Sequence, residues 1–153
     1  SLMRDLVDAG HKVHTTIQRY EARPANAQEA DALKIAEGTL IVHIERTRFA
    51  NDEPIAVLTN AIPTDIAPTM QELESGSLYD LMRERGVTLA SARQIIGARS
   101  APTKEAKLLS EHRGAALLTS QRTTYDPSGR IVECGNHIYR ASRYSFEASL
   151  FAQ

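Results

Sequence analysis

Two arginines in the first third of the chain have the spacing of an anion-binding pair. Arg46 and Arg48 continue an alternation of apolar residues that includes Val42 and Ile44. Because residues two apart in a β-strand point to the same face, both guanidiniums are predicted to extend that apolar face. Two neighbouring forks of fixed N–H donors suit a phosphate or a carboxylate. The pattern equally fits two solvated side chains at a strand end, since arginine is mostly exposed in proteins.

A second candidate region begins at Ser77, which has the properties of a helix N-cap. Residues 77–85 place their apolar side chains on one stripe, and Gly86 follows as a typical helix end. A helix N-terminus offers N–H groups and a positive dipole end, so an anion could lie beside Ser77 and the polar tip of Tyr79. The alternative is a capped helix whose tyrosine packs on the core.

The final predicted strand carries a polar line on one face. Glu133, His137 and Tyr139 alternate with other residues, which predicts that the three side chains point to the same side of the sheet. Carboxylate, imidazole and phenol groups could bind the hydroxyls or the amine of a small ligand. The alternative is the ordinary water-facing side of an antiparallel sheet.

The composition of the chain narrows the function classes. The 153 residues, 42% hydrophobic and 24% charged, fit a single globular domain. A net charge of −1 gives no general attraction to nucleic acid or anionic membranes, and the apolar runs are too short to span a bilayer. The single cysteine, Cys134, predicts no internal disulfide and favours a reducing cytoplasm.

Sequence signals for catalysis, metals and cofactors are weak. The five histidines are scattered, and no cysteine joins them at a ligand-like spacing, so no metal is predicted. No nucleophile elbow, P-loop or dinucleotide fingerprint occurs. We therefore predict neither a cofactor nor an enzyme, and we expect Cys134 to be a small buried side chain. Without a basic helix-turn-helix pattern, the chain should not bind DNA unaided.

Periodicity and turn residues predict an α+β fold with a single antiparallel sheet flanked by helices. Two pairs of strands are joined by short turns, which forces antiparallel neighbours, and the helices are few and separate. Strands are expected over residues 13–23, 87–99, 115–125 and 130–144, with a hairpin over residues 40–62. Helices are expected over residues 27–37, 77–85 and 102–111, with a short one near Met70.

Several stretches of the chain occur in a characteristic order. They are Glu45-Arg-Thr-Arg-Phe-Ala-Asn-Asp-Glu-Pro-Ile55, Ala61-Ile-Pro63, Gly76-Ser-Leu-Tyr-Asp-Leu81, Tyr125-Asp-Pro-Ser-Gly-Arg-Ile-Val-Glu133, Tyr139-Arg140 and Arg143-Tyr-Ser-Phe146. In this order and spacing they resemble the UTRA domain of GntR-type bacterial transcription regulators of the HutC subfamily. The resemblance runs from about Gly10 to about Leu150, which is nearly the whole chain.

This resemblance implies a chorismate-lyase-like fold that has become a sensor. In such regulators an N-terminal winged helix-turn-helix domain binds operator DNA, while the UTRA domain binds a small effector and forms a homodimer. Residues 1–10 resemble the end of the interdomain linker, and residues 11–153 resemble the effector-binding and dimerisation domain. Operator DNA would then be bound only through a domain that this chain does not contain.

The resemblance also implies roles for six residues of the chain. The residues that match the positions holding the anionic group of the effector, often a sugar phosphate, are Arg46, Arg48, Ser77 and Tyr79. The residues that match positions contacting the rest of the effector are Glu133 and Tyr139. We therefore expect a small anionic effector to be the partner of this domain.

Two positions depart from the family pattern. Leu58 stands where many members carry a glutamate that contacts hydroxyl or amino groups of the ligand, and Ser142 stands where many carry an aspartate. A leucine cannot satisfy a buried amine. The departures therefore favour a less polar or differently shaped anion than an amino-sugar phosphate.

Two other functions remain open at the level of the sequence. One is a lyase that retains the chemistry of the ancestral fold on an aromatic carboxylate such as chorismate, supported by arginines and a glutamate near a closed pocket. The other is a dimerisation module with a degenerate pocket, suggested by Leu58 and Ser142. Product formation from chorismate would identify the first, and a sheet-mediated dimer that binds no small molecule would identify the second.

Overall fold

Six strands form one antiparallel sheet in the computed structural model, which describes residue 10 and residues 12–152. The strands are β1 (Val13–Pro24), β2 (Leu40–Ala50), β3 (Glu53–Pro63), β4 (Ser91–Ser100), β5 (Ala116–Tyr125) and β6 (Ile131–Arg140). The helices are α1 (Ala27–Leu33), α2 (Met70–Leu73), α3 (Leu78–Glu84) and α4 (Thr103–Leu108). The strands lie in the order β1-β2-β3-β6-β5-β4, so the predicted α+β fold with a single antiparallel sheet is confirmed.

Two tight hairpins build the centre of the sheet. The β2–β3 hairpin turns through Asn51 and Asp52, whose φ angles of 50° and 65° are both positive, as a type I′ turn requires. The β5–β6 hairpin turns at Asp126, whose backbone oxygen accepts a hydrogen bond from the Gly129 N–H at 3.0 Å. The two hairpins then pair through β3 and β6. Side chains far apart in the sequence thereby come to share one face of the sheet.

The main core lies where α2 and α3 cover one face of the sheet. Its buried members are Val42, Ile44, Ile62, Ala67, Leu73, Leu78, Leu81, Met82 and Val132. The three α3 residues in this set form the buried stripe that the sequence predicts. On the opposite face, α1 and α4 cover two separate smaller clusters. Cys134 is buried in the α1 cluster, so its predicted role as a small buried side chain is confirmed.

The helix α1 begins as predicted but ends early. Its capping box is complete, because the Asn26 side chain accepts from the Glu29 N–H at 2.8 Å and the Glu29 side chain accepts from the Asn26 N–H at 3.1 Å. The helix ends at Leu33 instead of residue 37, since Lys34 adopts a left-handed conformation with a φ of 54°. This turn carries Ile35 back against the cluster beneath α1.

Three other elements also differ from the predicted ends. The strand β4 begins at Ser91 rather than at residue 87, because Val87 and Leu89 pack against the main core instead. The strand β6 stops at Arg140 rather than at residue 144, where the backbone enters a turn and the Arg140 Nε donates to Glu111 at 2.9 Å. The helix α4 is shorter than predicted at both ends. The expected interdomain linker, except for residue 10, lies outside the described residues.

Candidate functional site

An inner cavity of about 160 Å³ opens on the face of the sheet that α3 partly covers. Five of the six predicted effector-binding residues line its wall: Arg46, Arg48, Ser77, Tyr79 and Tyr139. The other residues of the wall are Leu58, Asn60, Leu78, Gln94, Ser120, Arg122, His137 and Tyr144. The structure therefore brings residues from five strands, from α3 and from the segment after β6 to one site.

The strand β2 positions the two arginines on the face that its alternation predicts. Val42 and Ile44 enter the main core, and the next residues on that face are the two guanidiniums of the cavity wall. Arg46 is only 4% exposed, and its Nη2 donates to Asn60 Oδ1 at 3.2 Å on the neighbouring strand. The alternative of a solvated strand-end side chain is therefore wrong for Arg46, and Arg48 is partly buried.

The helix α3 contributes Ser77 and Tyr79 from its first turn. Ser77 holds the predicted N-cap position, but its hydroxyl makes no capping hydrogen bond. The Tyr79 ring lies beneath Arg122, whose Cζ is 5.0 Å from the ring centroid. This distance is within the range of a cation–π contact, so the tyrosine helps to hold a third guanidinium at the cavity.

Glu133 lies behind the wall of the inner cavity, fully buried. Its carboxylate accepts hydrogen bonds of 2.9 Å from Asn60 Nδ2, Tyr79 Oη and Thr124 Oγ1. Burial raises the pKa of Glu133, although these three donors oppose the rise. A Cβ at Gly135 would meet the carboxylate at 2.8 Å, so the glycine leaves room for it. Glu133 thus orients two wall residues, and its direct contact with an effector stays a prediction.

Four buried nitrogen atoms of the wall have no hydrogen-bond partner. They are Nε of Arg46, Nε of Arg48, Nε of Arg122 and Nε2 of His137. In the part of the chain that the structure describes, no other buried side-chain nitrogen or oxygen lacks a partner. An unpartnered buried polar group costs about 1–3 kcal/mol. Their concentration at one cavity indicates a site for a ligand rich in acceptor atoms.

The electrostatics of the wall favour an anionic ligand. Burial lowers the pKa of Arg46 to about 10, with a further contribution from Arg48, so the guanidinium remains charged at neutral pH. Burial also lowers the pKa of Arg48. The pKa of His137 falls to about 3 through burial and through the nearby charges of Arg46, Arg48 and Arg122. Crowding like charges in this way is unfavourable, and an anion between them would relieve it.

Sequence reasoning did not assign several residues of the wall. Asn60, Gln94, Ser120, Arg122 and Tyr144 were not assigned to the site. The first four lie on strands whose neighbours depend on the order of strands in the sheet, and Tyr144 lies in the segment after β6. The strand β5 does carry a weak signal, since its alternate residues Ser120 and Arg122 form a polar face. His137 was on the predicted polar line as a group that could bind a ligand's hydroxyls or amine, but the resemblance gave it no role.

Leu58 introduces an apolar patch into this polar wall. It is fully buried and stands opposite Arg46 on one neighbouring strand and opposite His137 on the other. A ligand group that touches this patch can form no hydrogen bond with it.

A larger outer cavity of about 650 Å³ adjoins the inner one at two tyrosines. Tyr139 and Tyr144 line both cavities, and their stacked rings have centroids 4.6 Å apart. Ser142, the second position that departs from the family pattern, lines the outer cavity and donates to Glu111 at 2.7 Å. The two cavities therefore share an aromatic pair in their walls.

Residue 10 and residues 12–152 were searched for clusters of metal ligands and for membrane-spanning helices. These residues contain no cluster of three or more histidine, cysteine, aspartate or glutamate side chains that could hold a metal ion. They also contain no helix with the length and apolar character needed to cross a membrane.

Comparison with known sequences identifies related proteins. A family model described as the UTRA domain matches residues 8–145. The HTH-type transcriptional repressor NagR of Bacillus subtilis is 30% identical over 148 residues, which are 95% of this chain and 61% of that protein. The probable transcriptional regulator PhnF of Escherichia coli is 34% identical over 110 residues, which are 69% of this chain and 45% of that protein. The chain spans about half the length of the curated relatives it matches.

A solved structure extends this similarity to the fold. The crystal structure of a transcriptional regulator from Streptomyces coelicolor is 47% identical in sequence, with a TM-score of 0.85. The match covers 94% of this chain and 96% of that chain. The two chains therefore share their fold over nearly their whole lengths, and the sequence relatives are named as transcription regulators.

Proposed function

Since the chain belongs to the UTRA domain family of GntR-type transcription regulators, we propose that it is the effector-binding and dimerisation domain of a cytoplasmic HutC-type regulator. Its effector is a small anionic metabolite such as a sugar phosphate or an organic acid. Operator DNA is bound by a winged helix-turn-helix domain outside this chain. The effector acts as a switch because it binds two arrangements of the dimer with different affinity.

The four unpartnered nitrogens of the inner cavity carry this proposal. A phosphate or carboxylate offers several lone pairs, so one oxyanion can accept hydrogen bonds from several of these groups at once. With Glu133 ionised behind the wall, the three guanidiniums in the wall leave a local excess of two positive charges. A doubly charged anion, such as a phosphate monoester, neutralises that excess.

The shapes of the two cavities suggest how the rest of the effector lies. The inner cavity holds the anionic group, and the body of the effector extends past Tyr139 and Tyr144 into the outer cavity. Leu58 faces an unsubstituted or apolar edge of that body, because a buried amine would find no acceptor there. Glu133 acts from behind by holding Tyr79 and Asn60 in place.

Stabilisation by anions tests the proposal. We expect sulfate, which stays doubly charged at neutral and mildly acidic pH, to raise the melting temperature of the wild-type chain at constant ionic strength. At a concentration 100 times the dissociation constant, the shift should be about 5–10 °C for a domain of this size. Phosphorylated sugars and organic acids should then be ranked by differential scanning fluorimetry.

The matched variants are Arg46→Gln with Arg48→Gln in one chain, and Arg19→Gln in another. The double variant should lose the shift, whereas the Arg19 side chain is half exposed and outside the cavity wall, so its replacement should leave the shift unchanged. An equal shift in the double variant would contradict the anion site. If no anion stabilised the wild type, a dimerisation module with a degenerate pocket would explain the chain better.

A further inference from the structure

His137 differs in kind from the other three unpartnered groups of the inner cavity. The unpartnered nitrogens of Arg46, Arg48 and Arg122 belong to guanidiniums, which donate hydrogen bonds and never accept them. The His137 ring is neutral at pH 7, since its pKa is held at about 3, and each nitrogen of a neutral imidazole is either a donor or an acceptor. An oxyanion therefore matches the three arginines in every state, but it matches His137 Nε2 in only one of two tautomers.

The position of His137 on the sheet separates it from the arginine pair. Leu58 of β3 is paired with Arg46 on one side and with His137 on the other. Neighbouring strands lie about 4.8 Å apart, so the backbones of Arg46 and His137 are about 10 Å apart with the leucine between them. All three side chains line the inner cavity. An effector that holds its anionic group at Arg46 must therefore extend over Leu58 to reach the imidazole.

Gly135 determines where the free nitrogen of His137 lies. A Cβ added at this glycine would be 2.9 Å from His137 Nε2 and 2.8 Å from Glu133 Oε2. Two atoms this close to a single point are near neighbours, yet no hydrogen bond joins them. The Glu133 oxygen already accepts from Asn60 Nδ2 at 2.9 Å. The imidazole nitrogen thus lies beside a buried carboxylate, with no partner of its own.

The second ring nitrogen of His137 leaves both tautomers available. His137 Nδ1 lies 3.3 Å from the Tyr139 hydroxyl, and a phenol can either donate to this nitrogen or accept from it. Nε2 then carries a proton in one tautomer and a lone pair in the other. A ligand group that suits the site in both states must be able both to accept and to donate a hydrogen bond.

A hydroxyl is the ligand group that meets this requirement. It accepts from a protonated Nε2 and donates to an unprotonated one, whereas a carbonyl or ether oxygen only accepts and an amide N–H only donates. A carboxylate or phosphate oxygen would place a second negative charge next to ionised Glu133, and an ammonium group would be repelled by the three guanidiniums of the wall. Charge and hydrogen-bonding capacity therefore both favour a neutral hydroxyl at His137.

We propose that His137 is a specificity-determining residue of the effector site and forms a hydrogen bond with a hydroxyl of the effector. This inference rests on the proposed function and narrows its effector class to a hydroxylated anion, such as a phosphorylated polyol or a hydroxy acid. The hydroxyl lies across Leu58 from the anionic group, and the part of the effector between them contacts the leucine. Anions of equal charge that lack the hydroxyl bind less tightly.

Two phosphate esters that differ in their hydroxyl groups test the proposal on the wild-type chain. Glycerol phosphate and propyl phosphate have the same charge and the same length of carbon chain, but only the first carries hydroxyls. We expect calorimetric titration to give about tenfold tighter binding of glycerol phosphate, because only this ester forms a hydrogen bond with the buried unpartnered nitrogen. Equal affinities, tighter binding of propyl phosphate, or binding of neither ester would overturn the proposal.

The matched variants are His137→Phe and His112→Phe. The first keeps an aromatic ring but has no ring nitrogen, so it should bind the two esters with equal affinity. The His112 side chain is 81% exposed and lies outside the cavity wall, so its replacement should keep the preference for glycerol phosphate. In His137→Gln, the amide can donate and accept, and part of the preference should return. A full preference in His137→Phe would overturn the proposal.

Sulfate separates this proposal from the proposed function. It carries no hydroxyl, so its stabilisation of the wild type reports on the anion site alone. If sulfate stabilises the wild type while the two esters bind equally, the anion site stands and the role of His137 is wrong. If sulfate gives no stabilisation and neither ester binds, the proposed function fails and this inference fails with it.

Discussion

At the scale of single residues, His137 shows how the inner cavity changes the chemistry of a side chain. Burial and the three arginines hold the pKa of His137 at about 3, so the imidazole is neutral at pH 7. Its Nδ1 lies 3.3 Å from the Tyr139 hydroxyl, while Nε2 is one of the unpartnered nitrogens. A neutral imidazole can donate or accept a proton in a hydrogen bond, so His137 can adapt to the ligand atom it meets.

The depressed pKa of His137 predicts a loss of stability in mild acid. The folded-state pKa of about 3 lies below the ordinary value of 6.5. The contribution of neutral His137 to the free energy of unfolding is therefore complete above pH 6.5 and is lost as the pH falls toward 3. Between about pH 7 and about pH 5 the unfolded chain takes up one more proton at this site, which costs the folded state about 2 kcal/mol. Urea unfolding at both pH values measures the difference.

The matched variant for this measurement is His137→Asn. It keeps a polar planar group at the site but cannot titrate, so its stability should fall by about 2 kcal/mol less than that of the wild type over the same pH range. Equal losses in the two chains would mean that His137 is protonated in the folded state. Comparing the two chains cancels the contributions of other titrating groups.

At the scale of elements, the sequence predicts well the features that depend on neighbouring residues of one strand or helix. It predicts poorly the features that depend on contacts between distant elements. Arg46 and Arg48 were predicted on a shared face because that face is set by the alternation of β2 alone. Arg122 was not assigned, since its position beside them depends on β6 lying between β3 and β5. The end of α1 was missed for a similar reason, because the packing of Ile35 on a neighbouring cluster decides it.

The helix α1 provides a prediction that depends only on local chemistry. Asn26→Ala removes the acceptor of the Glu29 N–H and should lower the free energy of unfolding by about 1 kcal/mol. Chemical denaturation of the variant and of the exposed neighbour Gln28→Ala gives the comparison. Gln28→Ala should change the stability by less than about 0.5 kcal/mol. A cap variant as stable as the wild type would show that tertiary packing alone holds the helix.

At the scale of the whole molecule, the site exists only because two hairpins share one sheet. The strands of the β2–β3 hairpin supply Arg46 and Asn60, and those of the β5–β6 hairpin supply Arg122 and Glu133. The family resemblance located five wall residues, because motifs keep their order along the chain. The sheet order then adds Arg122, a third guanidinium that none of these motifs contains, and it places Glu133 of one motif behind the wall.

The unpartnered nitrogens of the inner cavity should also affect how long the protein survives in a cell. Unpartnered buried groups lower the free energy of unfolding of the domain. A bound anion raises this free energy in proportion to the logarithm of the anion concentration. Proteases cleave molecules that open transiently, so sulfate should slow thermolysin digestion of the wild type. The variant with Arg46→Gln and Arg48→Gln should be digested at one rate with or without sulfate.

If sulfate still slowed the digestion of that variant, sulfate would protect the domain by binding outside the inner cavity. If the protection is specific, a cell rich in effector degrades less of the regulator and a cell without effector degrades more. The metabolite would then set the number of regulator molecules as well as the state of each one. The lifetime of the regulator, and not only its affinity for DNA, would then depend on the effector concentration.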